Sequence, residues 1–359
     1  MLDASKNVLK LIEDCGFKAY IVGGFVRDYL LSKKSNDIDI TTNATPRDVL
    51  KIFPNADISN EKLGVVTINY NDVRFEITTF RIEYDYVNNR RPSKVLYTDN
   101  LIEDLKRRDF TINAICMDNN ENIIDPLNGR DDLKSHTLRC IGNANMKFQE
   151  DALRILRCIR FATSLNFNID EEALNAIKEN KDLLKNISYD VKRHELDKIF
   201  TSSNAIYGIK LILNLDLDKS LELNNLNKVT YTDSLMGVWA VIDTCKYHFT
   251  KIESQEIESI KMCLKLDNSD PYVLYKYGPY FNFVASSIKH DNINTDLLYK
   301  NLVIHSFSDI DISINDIVNI INNKDVSLSD VKADIEKQIL YKSLTNNRKE
   351  IVKYIISNY

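Results

Sequence analysis

Residues 19–31, AYIVGGFVRDYLL, followed closely by residues 37–42, DIDITT, decide the fold of this chain. Ala19 to Val22 is a short apolar run that reads as a buried strand. Gly23 and Gly24 break it, and Phe25 to Leu31 reads as a short helix. A strand, a glycine turn and a helix N-terminus make an anion site, because the free backbone N–H groups of the first turn point at the ligand. Arg27 and Asp28 then fall in that first turn. Arg27 is placed to meet phosphate, while Asp28 is equally well explained by the helix dipole. Asp37 and Asp39 stand two residues apart, so on a strand they project to one face. Hard divalent cations such as Mg²⁺ are held by one or two carboxylates plus substrate phosphates, and this spacing provides the carboxylates. Alone, a D-x-D usually reflects a solvated strand edge or a turn; the glycine turn before it gives the pair its meaning. The chain has no G-x-x-x-x-G-K-[ST] and no G-x-G-x-x-G, which argues against a P-loop ATPase and a Rossmann oxidoreductase.

A length of 359 residues leaves room for two or more domains. With 44% hydrophobic and 28% charged residues the composition is that of an ordinary soluble globular protein. The absence of a long uncharged apolar stretch argues against a membrane span. The N-terminus, with Asp3, Lys6, Glu13 and Asp14 among apolar residues, reads as an amphipathic helix rather than a secretory signal. The cysteines at 15, 116, 140, 158, 245 and 263 show neither C-x-x-C pairing nor ligand spacing, as expected of reduced, mostly buried thiols in a cytosolic protein. The histidines do not cluster, so a zinc or histidine-based hydrolytic site has little support. A net charge of −5 argues against a surface coated for nucleic acid. An RNA partner would be held by local basic patches, at Arg90-Arg91 with Lys94 and at Lys106-Arg107-Arg108.

Strand-like segments crowd the first part of the chain. Val65 to Tyr70 and Val73 to Phe80 are rich in β-branched and aromatic residues and read as a hairpin around Asn71-Asp72. Ala114 to Met117 and Asn122 to Ile124 suggest a second short pair. After about residue 145 the pattern becomes helical, with Ala152, Leu153, Ile155, Leu156, Ile159 and Phe161 at helical spacing. The fold expected is α+β: a head with a mixed β-sheet, followed by an all-helical remainder.

Three further strings carry polar chemistry. Glu76 lies inside the strand Val73 to Phe80, where it reads either as a third metal-binding carboxylate or as a solvent-facing glutamate. In residues 107–114, RRDFTINA, Phe110, Ile112 and Ala114 read as core, with Arg108, Asp109 and Asn113 as polar groups beside them. Such groups need partners, either a ribose or triphosphate or an internal salt bridge. In residues 150–160, Asp151, Arg154, Arg157 and Arg160 recur every third residue, which places neighbours close together on one helix face. A solvated ion-pair stripe is one reading. The other rests on hydrogen-bond chemistry: carboxylate only accepts and guanidinium only donates. Cytosine and adenine present an amino donor beside a ring-nitrogen acceptor, whereas guanine and uracil present a carbonyl and a ring N–H. An Asp–Arg pair would therefore accept C and A and reject G and U, leaving Arg157 and Arg160 for phosphates or for orienting the pair.

Taken together, GGFVRDYLL with DIDITTNATP, EITTFRIE, RRDFTINA, DPLNGRDDL and EDALRILRCIRF, in this order between about residues 19 and 165, resemble the class II tRNA nucleotidyltransferase and bacterial poly(A) polymerase family. The resemblance implies that Asp37 and Asp39 bind catalytic Mg²⁺ with Glu76 as a third carboxylate. It implies that Gly24 and Arg27 contact the nucleoside triphosphate, and that Arg108, Asp109 and Asn113 serve ribose and phosphate. Asp151 and Arg154 would read the base, supported by Arg157 and Arg160. Asp125 to Leu133 resembles the hinge between head and neck. The implied chemistry is attack of an RNA 3′-hydroxyl on the α-phosphate, with pyrophosphate leaving.

Within that family, residues 61–66, EKLGVV, resemble the pattern of members that add C, C and A to tRNA, and Ile82 to Lys94 resembles their flexible loop. The substrates expected are CTP, ATP and the tRNA 3′ end, in the cytoplasm and without a membrane partner. The alternatives are a poly(A) polymerase, an enzyme adding only A or only CC, and, in another class, a non-catalytic RNA- or nucleotide-binding protein. The division expected is a head over 1–140, a neck over 141–200, a body over 201–270 and a tail over 271–359. The oligomeric state is left open, a homodimer among the alternatives. Departures from the family pattern are Asn88 for an aspartate in the loop, Val191 for an arginine, and Ile314 for a glycine in the tail.

Overall fold

Two antiparallel hairpins, joined through one parallel and two further antiparallel pairings, assemble the sheet that carries the site. A computed structural model of the chain describes residues 1–35, 38–242, 244–321 and 326–359. These residues form two units, Met1–Glu222 and Leu223–Tyr359.

The first unit runs α1 (Leu2–Glu13), β1 (Ala19–Val22), α2 (Gly24–Leu30), β2 (Ile38–Thr42), α3 (Pro46–Ile52), β3 (Val65–Tyr70), β4 (Val73–Thr79), β5 (Arg81–Val87) and β6 (Arg91–Tyr97). It continues with α4 (Leu101–Lys106), β7 (Cys116–Met117), β8 (Ile123–Ile124), α5 (Gly129–Lys134), β9 (Thr137–Leu138), α6 (Ala144–Glu150), α7 (Leu153–Leu165), β10 (Asn168–Ile169), α8 (Glu171–Asn180), α9 (Tyr189–Phe200), α10 (Ala205–Asn214) and α11 (Leu217–Leu221). The sheet order is β3-β4-β2-β1-β7-β8. It is mixed: β2 and β4 run parallel while the other neighbours are antiparallel. This is the expected α+β head, with both expected strand pairs in place.

Local chemistry explains the turns. Asn71 and Asp72 adopt φ of 49° and 60°, the left-handed pair that a two-residue hairpin loop needs and that Asn and Asp tolerate. Thr45 caps α3 in a reciprocal capping box with Asp48, with Pro46 at the first helical position. Ile21, Val22, Ile40, Ile77 and Phe75 are fully buried, as two-sided strands at the centre of a sheet must be.

The segment resembling a flexible loop folds as a two-stranded ribbon, β5 against β6, from Arg81↔Tyr97 to Val87↔Arg91. Asn88 and Asn89, at φ 54° and 51°, close it. The helical remainder contains one departure: β10 pairs in parallel with β9 over two residues.

The second unit is helical: α12 (Leu235–Val241), α13 (Lys251–Lys265), α14 (Pro271–Lys289), α15 (Thr295–Lys300), α16 (Ile314–Ile321), α17 (Leu328–Leu340) and α18 (Arg348–Asn358). Helix α14 is interrupted at Gly278, φ 75°, just ahead of Pro279. Ile317, Val331, Ile335, Ile339, Ile351 and Ile355 form the core under its last three helices. Among the described residues no helix is long and apolar enough to cross a membrane.

Candidate active site

The end of β1 and the start of α2 shape the first part of the site. Gly23 has φ +81°, a conformation that side chains rarely adopt. A Cβ there would stand 3.4 Å from Asp39 Oδ2 and 3.7 Å from Arg108 Nη1, so the glycine sits between a carboxylate and a guanidinium. Asp39 lies on β2, and its partner across the parallel pairing with β4 is Glu76. Glu76 is exposed. Asp37 lies outside the described residues.

Arg108 is held from behind. The fully buried Asp104 accepts from Arg107 Nε at 2.8 Å and from Thr41 Oγ1 at 3.0 Å, and pairs with Arg108 Nη2 at 3.5 Å. Burial alone would raise the Asp104 carboxyl, but the charges of Arg107 and Arg108 outweigh it and hold it below the usual carboxylate range. Arg108 Nε is buried and has no protein partner among the described residues. The string 108–113 is braced by α5, where a Cβ on Gly129 would come within 2.3 Å of Thr111 O; only glycine lets the two segments meet.

Arg27, Asn113, Asp109 and Arg157 form one connected chain. Arg27 Nη1 donates to Asn113 Oδ1 at 2.7 Å, and Asn113 Nδ2 donates to Asp109 Oδ1 at 3.1 Å. Arg157 Nε donates to Asp109 Oδ2 at 2.8 Å. Burial would push the Asp109 carboxyl up, but the Arg157 charge and the bonds from Asn113, Arg157 and the Phe110 N–H reverse this and bring it to about 2. Arg160 is turned to Glu195, at 2.6 Å. The guanidiniums of Arg27, Arg157 and Arg160 lie 5.2, 5.4 and 4.1 Å from the centre of the Phe161 ring. Asp109 and Asn113 thus have internal partners, and Arg157 and Arg160 are bonded to Asp109 and Glu195 rather than to Asp151 or Arg154.

The helical stripe needs correction at its first member. Asp151 is not on the helix: it follows α6 in an extended conformation and its Oδ1 accepts the Leu153 N–H at 3.0 Å just before α7. Its Oδ2 accepts from Arg90 Nη1 at 3.1 Å. Burial raises the Asp151 carboxyl, opposed by the charges of Arg90 and Arg154. Arg154 is on α7, and its side chain bonds elsewhere than to Asp151. Nη1 donates to Glu150 Oε2 at 2.7 Å and Lys147 O at 3.1 Å; Nη2 donates to Arg107 O at 3.0 Å and Tyr86 Oη at 3.3 Å.

One cavity of about 970 Å³ joins these parts. Gly24, Arg27, Asp39, Arg108, Asp109, Asn113, Asp151, Arg154, Arg157 and Arg160 all line it, and Glu76 does not. Among the described residues its wall carries nine arginines against five carboxylates, a balance suited to a polyanion. Sequence reading missed Glu83, Tyr86 and Phe161 in this wall, and gave Arg107 only to a basic patch for RNA. The only signal was local: Asp104 precedes Arg107 and Arg108 by three and four residues, the spacing of helical ion pairs.

No group of three His, Cys, Asp or Glu side chains is spaced to hold a metal ion among the described residues. Asp39, which lines the cavity, is the kind of oxygen donor that a hard divalent cation shared with substrate phosphates takes; Glu76 is next to it in strand register but outside the cavity wall.

Comparison with known proteins places this architecture. Residues 19–139 match the family profile of the poly(A) polymerase head domain, and residues 166–223 match that of a probable RNA- and SrmB-binding site of polymerase A. The fold is that of the CCA-adding enzyme of Bacillus stearothermophilus in complex with CTP, with a TM-score of 0.84 and 24% identity over 99% of this chain and 97% of that one. In sequence, the chain is 44% identical to the CCA-adding enzyme of Lactobacillus helveticus over 214 residues, 60% of this chain and 54% of that protein. It is 30% identical to a CCA-adding enzyme of Staphylococcus aureus across 99% of this chain and 98% of that protein. The head is thus that of a nucleotidyltransferase. The chain belongs to the CCA-adding enzyme family. Membership implies nucleotidyl transfer with a divalent metal.

Proposed function

We propose that the chain adds C, C and A to the 3′ end of tRNA from CTP and ATP, without a nucleic-acid template and with release of pyrophosphate. One observation carries the reading: a single cavity joins the Gly23–Asp39–Arg108 cradle to the Asp151 carboxylate and the Arg154 guanidinium. Phosphates and base are thereby met by different ends of one wall.

On this reading the triphosphate lies against Gly24, Arg27 and Arg108. The buried Arg108 Nε, without a protein acceptor among the described residues, supports this, because a buried donor needs a partner and an anion oxygen would supply one. Asp109 and Asn113 hold the sugar end and link Arg27 to Arg157. Asp151 accepts the amino group of cytosine or adenine, and Arg154 donates to the neighbouring ring nitrogen. Arg157 and Arg160, fixed by Asp109 and Glu195, keep α7 in place. Asp37 and Asp39, with Glu76 in support, would hold Mg²⁺, which when bound polarises the reacting phosphate. The tRNA 3′-hydroxyl attacks the α-phosphate, and the arginine-rich wall stabilises charge on the departing pyrophosphate.

We further propose a head over 1–140, a neck over 141–200, and a body and tail over 201–270 and 271–359 that grip tRNA. The expected location is cytoplasmic. The test is incubation with tRNA lacking its 3′ end, CTP, ATP and Mg²⁺, each nucleotide also being supplied separately. Addition of C, C and A followed by arrest supports the reading. Long A-tails mark a poly(A) polymerase, A alone or CC alone marks a split activity, and no incorporation marks a non-catalytic binder.

A further inference from the structure

The base-facing end of the cavity contains a hydroxyl for which the reading above has no use. Tyr86 lies on β5, half-buried, and its Oη is 3.3 Å from Arg154 Nη2 and 2.6 Å from Glu83 Oε2. Strand alternation would place Glu83 and Tyr86 on opposite faces of the ribbon. Asp85 between them has φ +51°, a local left-handed kink, and both side chains reach the same cavity wall.

The direction of these hydrogen bonds is fixed by charge. Glu83 pairs with Arg81 Nη2 at 2.7 Å and lies 3.5 Å from Arg107 Nη1. Burial would raise its carboxyl, but these two arginines outweigh that and keep it ionised. An ionised carboxylate only accepts, so the Tyr86 O–H must donate to Glu83 and present its lone pairs to Arg154. Burial and the Glu83 charge also raise the Tyr86 phenol above its ordinary value, so the proton stays on it at working pH. Arg154 therefore has a fixed acceptor on each side of the guanidinium: Glu150 and Lys147 O for Nη1, Tyr86 and Arg107 O for Nη2. Among the described residues only Nε lacks a protein acceptor.

We propose that Tyr86, oriented by Glu83, is a positioning residue that sets the angle at which Arg154 meets the nucleotide base, and so sets discrimination of C and A against U and G. The inference rests on the base-reading role given to Arg154 above. It assigns selectivity to the β5–β6 ribbon through a hydroxyl that touches the reading side chain rather than the base. The Tyr86 ring, 5.7 Å from the Arg154 guanidinium carbon, contributes a separate stacking contact that a phenylalanine would keep.

The test is Tyr86→Phe in the full chain, with single-nucleotide incorporation into tRNA lacking its 3′ end measured for CTP and UTP. The expected result is a fall of about tenfold in the kcat/KM ratio of CTP to UTP, the size of one lost charged hydrogen bond. A merely structural role lowers both rates together and leaves the ratio unchanged, which overturns the proposal. In an Arg154→Ala background the same change should have no further effect on the ratio, whereas additive losses also overturn it. Glu83→Gln is a second route: a glutamine can turn its N–H to the hydroxyl, freeing the Tyr86 proton to face Arg154, and the ratio should fall again. If the unaltered protein shows no preference for C and A over U and G, the base-reading assignment itself fails, a result separable from an unchanged ratio in a selective enzyme.

Discussion

Arg157 donates from Nε and Nη2 to a single oxygen of Asp109, at 2.8 and 2.5 Å, while the other oxygen of Asp109 takes the Phe110 N–H and the Asn113 amide. The carboxylate thus ties the 108–113 string to α7, which carries Arg154. Asp109→Asn leaves the half-buried Arg157 guanidinium facing a neutral amide. Weakening a charged pair whose carboxylate is buried and whose guanidinium is partly exposed costs about 2 kcal/mol. Urea denaturation should report a loss of that size, with nucleotide incorporation reduced as well. A stability equal to that of the unaltered protein would mean that water replaces the pair.

The same carboxylate predicts a pH dependence. Its value falls from 3.8 to about 2 on folding, because the Arg157 charge and three hydrogen bonds outweigh burial. A folded-state value below the unfolded one means that the native form releases the proton more readily. The stabilisation, about 2 kcal/mol, is complete above about pH 4 and is lost as pH falls towards 2. Urea midpoints measured at pH 5 and pH 2.5 should separate more for the unaltered protein than for Asp109→Asn. Equal separations would assign the acid sensitivity to other carboxylates.

Gly23→Ala tests the cradle. The backbone there, at φ +81°, costs a side chain about 1–3 kcal/mol. The new Cβ would also sit 3.4 Å from Asp39 Oδ2 and 3.7 Å from Arg108 Nη1. A modest fall in melting temperature should accompany a loss of nucleotide affinity larger than the stability change accounts for, read by titration with CTP. Loss of stability with unaltered affinity would place the triphosphate elsewhere.

How much of this was legible in the sequence depends on the distance over which each feature is determined. The glycine break after Val22 and the Asn71-Asp72 turn are set by neighbouring residues, and the strands around them are where periodicity places them. The family resemblance supplied the candidate site residues, and ten of them line one cavity. Partners 40 to 90 residues away were not legible. Nothing local to Arg154 points to Tyr86, and nothing local to Asp109 points to Arg157. A spacing of three from Arg154 predicts a place for Asp151 on a helical stripe. The chain instead breaks between α6 and α7, and its carboxylate caps the Leu153 N–H. The kink at Asp85 is a non-glycine left-handed residue inside a strand, which alternation alone cannot foresee.

The pairing of Asp39 with Glu76 across β2 and β4 separates two roles that sequence left together. Asp39 faces the cavity beside Gly23, and Glu76 does not line it. Asp39→Ala should lower incorporation by about a thousandfold, equivalent to about 4 kcal/mol of transition-state stabilisation. Glu76→Gln should cost only about tenfold if it supports the site from the neighbouring strand. Single-turnover rates at saturating Mg²⁺ provide the comparison. Equal losses would make Glu76 a full ligand, and an unaffected Asp39→Ala would remove the metal site from β2.

Arg90 offers the test of how Asp151 is kept ready to accept. Burial raises the Asp151 carboxyl, and the nearest opposing charge is Arg90, 3.1 Å away at the end of the β5–β6 ribbon. Arg90→Gln removes that charge, so the folded-state value moves further up and the carboxylate is protonated at a higher pH. A protonated Asp151 donates instead of accepting and loses its match to the amino group of cytosine. The acid limb of CTP incorporation should therefore move to higher pH in the variant, with a loss of about tenfold in kcat/KM at neutral pH from the missing charged hydrogen bond. The direction distinguishes electrostatics from simple loss of the ribbon's grip. A misplaced ribbon lowers the whole profile without moving its limb, and a limb that moves to lower pH contradicts the assignment of Arg90 as the counter-charge.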